Sequence, residues 1–152
     1  MKHLPRIALV LGLCMLASAV AVAQRHPAAA DAVALVKRAV QAIRKDGAAK
    51  AYARIDDRGD GFADHDLYVV VTGMDGTVLA SGANPRIVGK KLLDLKDIDG
   101  KPFMRERVEL ARTQPSFWQN YQYMRPGSGR IEPKRAYCER LRESVVCSGI
   151  YD

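Results

Sequence analysis

The sequence predicts an α+β domain built on an antiparallel sheet, and three observations predict it. Apolar residues recur at three- and four-residue steps through residues 28–55, β-rich runs separated by Asp-Gly and Pro-Gly turns fill much of the rest, and one further helical stretch lies between those runs. The length of 152 residues suits one domain, and a hydrophobic share of 48% supplies a core without metal or dense cross-linking.

The first stretch lies apart from the fold. Lys2 and Arg6 give a positive start, the apolar run IALVLGLCMLASAVAVA follows, and Ala21-Val22-Ala23 forms a small-residue cleavage site before Gln24. This is the pattern of a secretory signal peptide, residues 1–23, removed between Ala23 and Gln24 so that the domain spans 24–152. A retained membrane anchor is the alternative, for which the run is short. Cys14 leaves with the leader in the first case. The leader takes two of the 24 basic residues and no acidic one, so the formal charge falls from +7 to +5. Export makes nucleic acid an improbable partner for that charge and points to small anions or an anionic membrane surface.

In residues 24–55, Val33, Val36, Val40 and Ile43 mark one apolar helical face, Asp31 sits near the start, and Asp46-Gly47 breaks the helix ahead of a second one over 48–55. The polar loop DDRGDGFADHD that follows fails as a calcium site, because Arg58 stands at a ligand position and Leu67 where a bidentate Glu belongs. His65 in that loop has no partner in sequence. Leu67–Thr72 and Val78–Ser81 read as a hairpin around Asp75-Gly76. A helix is expected from about Pro102 to Arg112, a strand over Phe117–Met124, a turn at Pro126-Gly127-Ser128-Gly129, and two last strands over Lys134–Leu141 and Ser144–Tyr151.

The last two strands turn at Arg142-Glu143, and that register sets Cys138 opposite Cys147. Opposed strand positions carry Cβ atoms about 4.5–5.5 Å apart, within reach of a disulfide. Two thiols are too few for a metal site, and the spacing is not the C-x-x-C of a redox pair. A structural disulfide is the reading.

The stretch DLYVVVTGMDGTVLASGANPRIVGKKLLDLKDIDGKPF, followed by YQYMRPGSGRIEPKRAYCERL and VVCSGIYD, resembles the single Cache domain, type 2, over residues 66–151. The resemblance implies a PAS-like antiparallel sheet behind a long N-terminal helix, with sheet and pocket in residues 66–152. It also implies a pocket for a small ligand, often a short carboxylate, in an extracytoplasmic sensor. The chain departs from the family pattern at Tyr123, where Trp is common, and at Cys138 and Cys147, where Val and Gly are common. The two cysteine departures form a matched pair. Receptors of this family continue into a membrane helix and signalling module, whereas this sequence ends at Asp152. The expectation is a free-standing, exported, periplasmic bacterial domain acting through a membrane histidine kinase, chemoreceptor or transporter, with a homodimer through the N-terminal helix.

A carboxylate needs a fixed cation and a few donors in an apolar hollow. Strand alternation puts Phe117, Gln119, Tyr121 and Tyr123 on one face, so Tyr121 and Tyr123 are candidates. Lys134, after Pro133, is the candidate cation. Tyr137 is a further candidate, although a regular strand puts it on the opposite face from Lys134. Tyr68 and Arg86 complete the set. No H-E-x-x-H, G-x-S-x-G or phosphate-cradling Gly loop occurs, so no catalytic residue, metal or cofactor is expected. An interaction module with a degenerate pocket is the alternative function.

Overall fold

The computed structural model describes residues 26–58 and 61–151. The leader and the Ala23–Gln24 cleavage site lie outside the described residues. Helix α1 spans Ala29–Asp46 and α2 spans Ala48–Asp56. The Asp31 carboxylate accepts the Ala28 backbone N–H at 2.7 Å and closes the start of α1. Arg44 and Lys45 sit in its last turn, where they complement the helix dipole. The buried stripe of α1 is Ala32, Leu35, Val36, Ala39 and Val40. It is rotated from the expected valine face, leaving Val33 and Ile43 half-buried. Small side chains explain the rotation, since Ala32 and Ala39 let the helix axis approach the sheet.

The strands are β1 (Ala63–Asp64), β2 (Leu67–Gly73), β3 (Val78–Ser81), β4 (Ser116–Met124), β5 (Ile131–Leu141) and β6 (Ser144–Tyr151), with α3 over Phe103–Thr113. The sheet runs β4-β5-β6-β2, and β1 and β3 both pair with β2; every pairing is antiparallel. The two-residue β1, inside the polar loop, has no periodicity in sequence to announce it. The β2–β3 turn needs glycine at position 76: its φ is +86°, and a Cβ there would stand 2.6 Å from Leu93 Cβ. Asp75 holds the turn by accepting the Thr77 N–H at 3.0 Å and its hydroxyl at 2.9 Å.

The register Val71↔Ala80, Thr72↔Val78 leaves Leu79 as one extra residue in β3. This bulge turns Val78 to one face of the sheet and Ala80 to the other, which plain alternation forbids. Ala80 joins the core under α1 with Val69, Val71, Val146 and Ile150, all buried. Val78 faces the opposite side, toward α3. The two faces therefore have different jobs. One is sealed by α1, which packs across β2, β5 and β6. The other, under α3 and the loop of residues 82–102, encloses a cavity. Among the described residues no helix is long and apolar enough to cross a membrane.

Cys138 and Cys147 are paired in register, and a disulfide joins them with Cα atoms 4.1 Å apart. Both side chains lie on the cavity face of the sheet, and Cys147 borders the cavity.

Candidate functional site

The cavity, of about 440 Å³, has a floor of β2, β5 and β6, a wall of β4 and a roof of α3 with the 82–102 loop. Among the described residues, four cationic side chains border it, Arg58, Arg107, Arg125 and Lys134, and no acidic side chain does. Two of the four, Arg107 and Lys134, are only 3% and 4% exposed. A carboxylate contacts neither of these two among the described residues.

Lys134 lies across the sheet because β6 has glycine beside it. A Cβ at Gly149 would stand 2.7 Å from Lys134 Cε. The Lys134 ammonium donates to the Tyr68 hydroxyl at 2.6 Å. Its Nζ lies 3.9 Å from the Tyr68 ring centroid, 4.9 Å from that of Tyr151 and 5.6 Å from that of Tyr123. The tyrosine rings favour the charged form. Burial, and after it the charge of Arg107, works the other way and holds the lysine well below its ordinary pKa, with Asp66 opposing weakly. Tyr68 and Tyr151 share a hydroxyl contact of 3.2 Å, and Tyr151 donates to the Met124 carbonyl at 2.9 Å. Burial pushes the Tyr68, Tyr123 and Tyr151 hydroxyls up, so all three stay neutral donors.

Arg107 reaches the cavity from α3. Its Nε donates to Gln119 Oε1 at 3.2 Å and its Nη2 to the Tyr121 hydroxyl at 3.1 Å. Gln119 is oriented for this, since its amide nitrogen donates to the Phe103 carbonyl at 2.7 Å and to Glu106 at 2.6 Å. The Tyr121 ring stacks on Phe103 with centroids 4.4 Å apart. One face of α3 and alternate positions of β4 thus hold one guanidinium in place.

The third cation is already neutralised. Arg125 donates to Asp66 at 2.6 Å and to Glu132 at 3.0 Å, while Asp66 also accepts the Gly127 N–H at 2.7 Å. Burial alone would raise Asp66, but Arg125 and Gly127 override it and hold the carboxyl below its usual range. This cluster ties the β1–β2 turn to the β4–β5 hairpin at the cavity's edge.

Of the residues the sequence singled out, Tyr68, Tyr121, Tyr123 and Lys134 border this one cavity. Arg86 does not. It is exposed in the short 3₁₀ turn Pro85–Ile87, where its backbone N–H caps onto Asn84 at 3.1 Å, while Asn84 and Ile87 border the cavity. Tyr137 is also elsewhere. β5 keeps its register from end to end, so Tyr137 faces the α1 side, 5.3 Å from the Trp118 ring and donating to Glu139 at 2.9 Å. Sequence reasoning missed Arg107, Gln119 and Tyr151. A signal for Arg107 exists: it lies four residues after Phe103 and four before Ala111, on the apolar face of α3 rather than the wet one.

A family model for the "Single Cache domain 2" matches residues 14–152. The methyl-accepting chemotaxis protein McpP of Pseudomonas putida is 29% identical over 90 residues, which cover 58% of this chain and 16% of that protein. A methyl-accepting chemotaxis protein from Vibrio parahaemolyticus has the same fold, with a TM-score of 0.70 at 20% identity, over 80% of this chain and 86% of that one. A Cache chemosensory domain solved for carboxylic acid recognition gives 0.68 at 19% identity, over 80% and 91%. The periplasmic sensor domain of a further chemotaxis protein gives 0.63 at 22% identity, over 78% and 86%. With its sheet, its long first helix and a match over nearly the whole sequence, the chain belongs to the type 2 single Cache domain family.

Proposed function

We propose that this chain is a periplasmic sensory domain whose cavity binds a small organic anion, a short carboxylate, and that it reports the bound state to a membrane partner. The observation that carries this reading is electrostatic. Two buried cations, Arg107 and Lys134, face one cavity, and among the described residues no carboxylate pairs with either. Burying an uncompensated charge is costly, and an incoming anion offsets that cost. The hydroxyls of Tyr68, Tyr121 and Tyr123 supply orientation, and Val70, Ile87 and Leu92 supply the apolar part. A chemoreceptor, histidine kinase or transporter is the partner class, and the leader, cleaved after Ala23, is the route of export. Noncovalent binding needs no catalytic set, and the domain is proposed to have none.

Thermal unfolding across a panel of short carboxylates, amines and amino acids tests the reading. A ligand at a hundred times its dissociation constant adds about 2.7 kcal/mol, several degrees in a domain of this size. The expected result is stabilisation by carboxylates that disappears in Lys134→Ala and in Arg107→Ala. A flat response from folded protein would transfer the function to a protein-interaction surface.

A further inference from the structure

Arg107 and Lys134 border the same cavity but are held by different partners. Arg107 is held by Gln119 and Tyr121, with Met104 Sδ 3.6 Å from its Nη1. Among the described residues, Lys134 hydrogen-bonds Tyr68 and no other side chain. Among the described residues no side chain hydrogen-bonds both cations, and they come from different elements, α3 and β5. Each keeps donors in reserve. A guanidinium has five N–H groups, and those three contacts leave one on each terminal nitrogen. An ammonium has three, of which Tyr68 takes one.

We propose, building on the carboxylate reading above, that the cavity is made for a ligand with two acidic groups, a short aliphatic dicarboxylate. One carboxylate is received by Arg107 and the other by Lys134. Charge accounting supports two heads. A single carboxylate at Lys134 leaves the buried Arg107 guanidinium without a counterion, and a single one at Arg107 leaves the reserve donors of Lys134 unused. Volume points the same way: about 440 Å³ is room for roughly fifteen waters, of which an acetate-sized acid displaces a small part. The rest of the lining matches an aliphatic middle, with Val70, Val78, Ile87 and Leu92 on the cavity. The cation already satisfied by acids, Arg125, is left out of the site because Asp66 and Glu132 neutralise it.

The test is calorimetric titration of the purified protein with two chain-matched series, malonate to adipate against propionate to hexanoate. The expected result is at least one dicarboxylate binding about tenfold or more tighter than the monocarboxylate of equal chain length, the worth of one added charge-assisted contact. In Arg107→Gln and Lys134→Met that ratio should fall to near unity, because one head loses its cation. Monocarboxylates that bind as tightly as, or tighter than, their dicarboxylate counterparts in the unmodified protein would overturn the two-headed ligand and leave the carboxylate reading standing. No binding in either series, by protein shown to be folded, would overturn both. The comparison between series uses the unmodified protein, so it holds whether or not the variants fold.

Discussion

Lys134 is the residue on which the site turns, and Gly149 is what lets it lie there. In Gly149→Ala the new Cβ would stand 2.7 Å from Lys134 Cε and 2.9 Å from the Arg135 carbonyl, so side chain and strand must both give way. Overpacking of this kind costs about 1–3 kcal/mol in a denaturant titration. Carboxylate affinity should drop about tenfold, the worth of one weakened charge-assisted bond. Unchanged affinity in a destabilised variant would show that the lysine's place across the sheet is immaterial to binding. The pH dependence follows from the same side chain. Burial, and then Arg107, holds Lys134 below its ordinary pKa in the ligand-free fold. An anion beside it favours the ammonium and raises that pKa, so binding takes up a proton. Affinity should therefore be greatest below the depressed pKa and fall as pH rises from there toward the ordinary lysine range. The ligand-free fold follows the opposite sign: its unfolded chain binds more protons across that window, so stability rises with pH there. Titration in two buffers of different ionisation enthalpy reads the proton directly, and equal apparent enthalpies would rule the uptake out.

At the scale of elements, legibility depended on whether a residue's face could be read from its own strand or helix. Alternation along β4 placed Tyr121 and Tyr123 on the cavity side, and the Arg142-Glu143 turn set the register of β5 and β6 that pairs the cysteines. Alternation also predicted that Lys134 and Tyr137 point apart, and the unbroken register of β5 puts Tyr137 under α1. Arg107 was not legible in the same way, because a basic residue in FMRERVELART reads as solvated until α3 is laid on the sheet. The Leu79 bulge and β1 were illegible for a related reason: both are defined by their partner β2 and leave no period of their own. The cross-strand disulfide gives this scale its own prediction. It closes a loop of nine residues' separation, for which chain entropy gives about 2–3 kcal/mol. Reduction should lower Tm by about 5–10 °C. An unmoved Tm, with both thiols shown free by alkylation, would mean the hairpin holds its register without the bond.

At the scale of the whole molecule, the sheet is a partition with the cavity on one side and α1 on the other. The proposed sensory role requires a signal to pass through it, and a ligand shifts only states between which its affinity differs. The side chains of β5 and β6 alternate across the partition: Lys134 and Cys147 face the cavity, while Val146 and Ile150 pack under α1. A small shift of these two strands on anion binding is therefore felt by α1, which packs on both. A homodimer through the N-terminal helix, as the family resemblance implies, would put that response at a subunit boundary. Hydrogen exchange tests the route. Saturating carboxylate should slow exchange in α3 and the 82–102 loop, which roof the cavity, and should also change it in α1, which touches no ligand. Protection confined to the roof, with α1 unchanged, would describe a binding protein whose first helix is only a cover for its core. Protection in both, lost from α1 but kept in the roof when Ile150→Ala loosens the packing between them, would place the relay in β6.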